Sequence, residues 1–140
     1  MNLEDHTTYR FFQNLGKLFF AFASVDNNVR EEEVEAVRQL VRRYWLNEEF
    51  IKPILKSDAE GAVLNTFNWL CKDNDYNAEA CYKSFINFKK QNEPFFTDAI
   101  NSLILKTVGE ITASFSGQNK SEIILLAKLS IDLNKGKKEH

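Results

Sequence analysis

The chain has 140 residues, 44% of them hydrophobic, including twelve Phe, and a net charge of −2. One domain of that size, residues 1–140, buries roughly two-thirds of its unfolded surface and needs no disulfide or metal to fold. The composition excludes disorder, the acidic balance argues against nucleic acid as a partner, and no apolar run approaches the ~20 residues of a membrane insertion.

The first residues, Met-Asn-Leu-Glu-Asp-His, lack the basic-then-apolar layout of a signal peptide, so a cytoplasmic location is expected. Strand signals are missing and helical periodicity is everywhere, which predicts an all-α chain. A first helix is expected over Thr7–Val25. Phe11, Leu15, Leu18, Phe22 and Val25 form one stripe, and Phe12, Phe19 and Ala23 widen it. So broad an apolar surface marks a central helix with several neighbours. The second helix spans Arg30–Tyr44, with Glu31, Glu32, Glu33 and Glu35 in its first half and Arg38, Arg42 and Arg43 in its second, the order that suits the helix dipole.

Asn47–Leu55, interrupted by Pro53, reads as a short or kinked helical piece. Ser57 or Asp58 then caps a helix to Cys71, with Val63, Phe67 and Leu70 inward. The polar turn 73–77 ends in an N-cap at Asn77, and a helix to Lys90 follows with Cys81, Phe85 and Phe88 inward. Pro94 marks the start of a long helix to Phe115. Its expected stripe is Phe96, Ile100, Leu103, Thr107 and Ile111, with Ala99, Ile104 and Val108 beside it. Gly109 inside that helix costs about 1 kcal/mol relative to Ala and suggests a close helix crossing. The last helix, Lys120–Leu133, carries Ile123, Ile124, Leu126, Ala127, Leu129, Ile131 and Leu133 around most of its circumference and should be well buried. The sum is a compact bundle of about seven helices, with helical hairpins at its start and end related by a weak repeat: segment 23–33 is echoed by 113–122.

Few residues point to chemistry. Cys71 and Cys81 are too far apart for a Cys-x-x-Cys motif, and His6 and His140 lie at the two ends of the chain. No catalytic set is expected, because the body of the chain offers no His to activate a Ser or Cys nucleophile, and the glycines are scattered. Asp26 and Asp73 each begin something like a calcium loop, but neither has the turn Gly or the closing Glu at its required position. A looser site remains. Asp26, Glu31, Glu32 and Glu33 put four carboxylates within eight residues, which can hold a hard divalent cation such as Ca²⁺, or can serve only as an acidic helix start. Arg38, Arg42, Arg43, Lys52 and Lys56 around Trp45 form a modest basic patch suited to an acidic ligand or protein. Trp45 and Trp69 are the aromatic anchors available for a partner.

The stretch Asp26-Asn27-Asn28-Val29-Arg30-Glu31-Glu32-Glu33 resembles the tellurite-resistance TerB-like family, whose members carry Asp-Gly-x-Val-x-x-Glu-Glu at the opening of a helix. Asn27 replaces the Gly and tolerates the same left-handed turn. The second copy keeps Gly117 and Glu122 but has Ser116 for the Asp. The resemblance implies an all-helical, non-enzymatic interaction or stress-sensing module, with divalent-cation binding at Asp26, Glu31, Glu32 and Glu33. Some TerB-like domains accompany J-domains; no His-Pro-Asp occurs here. The alternative is a protein-binding adaptor or immunity-type protein with no metal. Either reading expects a protein partner, whose identity the residues do not specify, and leaves the oligomeric state open.

Overall fold

An aromatic-rich helix needs neighbours on more than one side, and α1 (Asn2–Ala23) has them: α3, α4 and α5 all pack against it. Phe11, Phe12, Leu15, Leu18, Phe19, Phe20 and Phe22 are all buried. The computed structural model describes residues 2–24, 31–46, 56–72, 77–115 and 120–134, with backbone alone at 2–6, 31, 56–57 and 114–115. The described residues are helical throughout, apart from short turns. The helices are α1, α2 (Glu31–Tyr44), α3 (Lys56–Lys72), α4 (Ala78–Gln91), a short 3₁₀ turn (Glu93–Phe95), α5 (Asp98–Phe115) and α6 (Lys120–Asn134). The expected piece at 47–55, which would be a seventh helix, lies outside the described residues.

α1 begins at Asn2, five residues ahead of the expected Thr7. Asn77 caps α4 as expected, its side-chain oxygen accepting from the Ala80 N–H at 2.8 Å. Pro94 starts only the 3₁₀ turn. The Thr97 hydroxyl accepts from Ile100 N–H at 3.2 Å and opens α5 three to four residues later than Pro94 predicts.

The buried face of α5 is rotated from the expected stripe. Asn101, Ile104, Thr107, Val108, Ile111 and Thr112 are buried, Ile100 and Leu103 are half-buried, and Ala99 is exposed. Asn101 turns inward because its amide donates to the Phe96 carbonyl at 3.4 Å and the Leu133 carbonyl at 3.3 Å, tying the end of α6 to α5.

Helix α1 meets α3 at Gly16. A Cβ there would lie 2.6 Å from the Val63 carbonyl oxygen and 3.0 Å from Thr66 Cβ, so only Gly allows this separation. Gly109, the expected crossing point, has open space where a side chain would start: a Cβ added there would meet nothing within 4 Å, so it marks no crossing. Phe11 is the hub of an aromatic cluster. Its ring stacks on Phe95 at 4.8 Å and packs edge-on to Phe12 and Phe96 at 5.3 and 5.5 Å. Trp45 closes the cluster fully buried, its indole N–H donating to the Thr107 hydroxyl at 3.0 Å.

The α1–α2 and α5–α6 pairs are built differently. α6 packs directly on α5, whereas the main neighbours of α2 are α3 and α5. The connections that carry the sequence repeat, 25–30 and 116–119, lie outside the described residues. No described helix is long and apolar enough to cross a membrane.

Candidate functional site

Of the four carboxylates expected at the start of α2, the side chains of Glu32 and Glu33 are described. Glu32 is exposed, while Glu33 is buried on the core-facing side with Val37, Leu40 and Val41. Neighbouring residues on a helix diverge by about 100°, which separates these two carboxylates. Asp26 and the side chain of Glu31 lie outside the described residues. Glu33 faces α3: burial pushes the Cys71 thiol up to about 11, and the charge of Glu33 adds to that rise. Among the described residues, no three His, Cys, Asp or Glu side chains come together to hold a metal.

Of the basic patch expected around Trp45, Arg38 and Arg42 form a structural clamp, while Arg43 is exposed with its guanidinium 6.0 Å from the Tyr44 ring centroid. Arg42 donates to both oxygens of Glu60, Nε to Oε1 at 2.9 Å and a terminal nitrogen to Oε2 at 3.0 Å. Arg38 adds a contact to Oε2 at 3.2 Å. This fork joins α2 to α3 and holds the Glu60 carboxyl below its usual range, chiefly through the hydrogen bonds from Arg42. Lys52 and the side chain of Lys56 lie outside the described residues. Trp45 is buried and offers no surface; Trp69 is 52% exposed.

The largest departure from expectation is α6. Its buried residues are Glu122, Leu129 and Leu133, which share one face. Ile123, Ile124 and Ile131 are 52%, 58% and 63% exposed, and Ala127 is exposed beside them. α6 runs along the edge of the bundle with α5 as its principal neighbour, so a helix apolar on most sides has only one side covered.

Next to this face a cleft of about 300 Å³ opens between α4 and α6. From α4 come Tyr82, Lys83, Ile86, Lys89 and Lys90; from α6 come Lys128 and Asp132. Helical spacing explains the set: Lys83 and Lys90 lie two turns apart on one face of α4, and Lys128 and Asp132 lie one turn apart on α6. The buried Tyr82 hydroxyl donates to Asp132 at 2.6 Å and bridges the two helices. Burial first, and Asp132 second, push the Tyr82 pKa far up, so the phenol keeps its proton.

Lys89 is 2% exposed, and its ammonium donates to both oxygens of Glu93 at 3.0 Å. Lys83 is exposed and pairs with Glu79 at 3.3 Å, and the Lys128 ammonium lies 5.0 Å from the Tyr82 ring centroid. The cleft thus presents a basic rim over an apolar and phenolic floor. Sequence reading places none of these residues together, because Tyr82 and Asp132 are fifty positions apart. The signals that could have found it are the repeated Lys on one face of α4 and the lone Lys128 among isoleucines.

No family model, curated protein or solved structure matches the chain.

Proposed function

We propose that this chain is a non-enzymatic interaction module that docks a protein partner on the outward face of α6. The observation that carries the reading is the exposure of Ile123, Ile124 and Ile131 on one helix. Scattered single apolar residues on a surface are ordinary; three isoleucines and an alanine contiguous on one helical face are what binding surfaces offer.

A TerB-like module is the family reading that the sequence motif favours. Its support is the motif at Asp26–Glu33 together with the all-helical architecture. Within that reading the α2 start, at Asp26, Glu31, Glu32 and Glu33, takes a divalent cation weakly, on the strength of the carboxylate spacing.

The docking reading is tested with a photocrosslinking amino acid at position 131 in the native host, with Asn65, exposed on α3, as the control position. A discrete crosslinked protein from position 131 that is absent from position 65 is expected. Equal crosslinking from both positions, or none from 131, contradicts it.

A further inference from the structure

We infer that the α4–α6 cleft and the adjoining isoleucine face form one composite site for an acidic, amphipathic helix of a partner protein. This rests on the docking reading above and names the chemistry of the partner.

The two halves of the site adjoin on α6. Lys128 is one turn from Ile124 and nearly one turn from Ile131, so it borders the cleft on one side and the apolar stripe on the other. Ile124 and Ile131 are seven residues apart, about 10.5 Å along the axis, which is two turns. A second helix laid along this stripe meets it with apolar residues at i, i+3 or i+4, and i+7.

The edge of the partner that overhangs the cleft faces Lys90 and Lys128, with Lys83, paired to Glu79, beside them. One acid lines the cleft, Asp132, which accepts from the Tyr82 hydroxyl and is outnumbered by the lysines on the rim. In a chain of net charge −2, this concentration of lysine selects Glu or Asp along that edge. The cleft, at about 300 Å³, is at the small end of ligand cavities and suits one or two inserted side chains.

Two other occupants fit less well. A second copy that matches Ile124 with Ile131 across a twofold axis brings Lys128 of each copy close to that axis, where like charges repel. A membrane-bound helix carries basic residues along both borders of its apolar face. Here the border away from the cleft carries Leu126 and Ser130, with no lysine to match Lys128.

The test is selection of helical peptides from a displayed library of random surface residues, using the whole chain as target. Titration follows with the best peptide and with variants at exposed positions. Recovered peptides should carry Leu, Ile or Phe at the stated spacing and Glu or Asp along one edge. I131D should weaken the best peptide at least tenfold. K128E combined with K90E should reverse the preference toward basic peptides, while circular dichroism confirms that each variant keeps its helical content.

Peptides without acidic enrichment, or with affinity indifferent to I131D, overturn the inference. So does self-association of the chain that I131D abolishes, or binding to phosphatidylserine vesicles with no peptide recovered. A crosslink from position 131 to a partner segment that is not an acidic helix leaves the docking reading standing and removes this one. Absence of that crosslink removes the docking reading itself.

Discussion

Single atoms decide several contacts in this bundle, and Gly16 is the clearest. An added Cβ would press on the Val63 carbonyl oxygen, a backbone atom that cannot rotate away. Gly16→Ala is expected to destabilise the chain by about 1–3 kcal/mol through overpacking. Gly109→Ala, with open space around the added methyl, should stabilise it by up to about 1 kcal/mol through helix propensity. Urea unfolding of the two variants checks both signs.

Glu60 is the second case. Its folded carboxyl titrates below the ordinary 4.5 of a glutamate, so its stabilising contribution is complete above that value and fades as pH falls through the lower folded value. Glu60→Gln should therefore cost about 1 kcal/mol near pH ~7, a modest figure because Arg42 is half-exposed, and the difference should shrink near pH ~3. A constant difference across that range contradicts the pairing.

At the scale of elements, α2 and α4 are legible in the sequence because their ends carry local chemistry: acids then arginines along α2, and the Asn77 cap on α4; α3 begins at Lys56, so Ser57 and Asp58 lie inside the helix and not at its cap position. The start of α5 is not, because Pro94 suits a 3₁₀ turn as well as a first α turn, and Thr97 supplies the actual cap. α6 misleads because an apolar circumference implies neighbours, and the sequence does not say how many neighbours the topology provides.

Leu129, on the face turned to the bundle, should cost about 2–5 kcal/mol when cut to Ala, as a buried leucine does. The candidate cation site belongs to the α2 start. Titration with Ca²⁺, Mg²⁺ or Mn²⁺ is expected to shift amide resonances of the first turn of α2, and Asp26→Ala should remove the shift. No shift at millimolar cation ends the metal reading.

Across the whole molecule, two regions divide the roles. The α1 aromatic core with α3, α4 and Trp45 holds the fold together, and the α6 edge faces outward. The core is legible in the sequence through its Phe spacing. The α4–α6 cleft is not, since it depends on two helices whose meeting residues are fifty positions apart.

Docking on α6 requires that its isoleucines lie outside the core. Denaturant unfolding of the triple variant Ile123→Gln, Ile124→Gln, Ile131→Gln measures this directly. Stability within about 1 kcal/mol of the parent is predicted, as for surface substitutions. A loss of about 5 kcal/mol or more, as several buried isoleucines would show, contradicts the placement of this face in solvent.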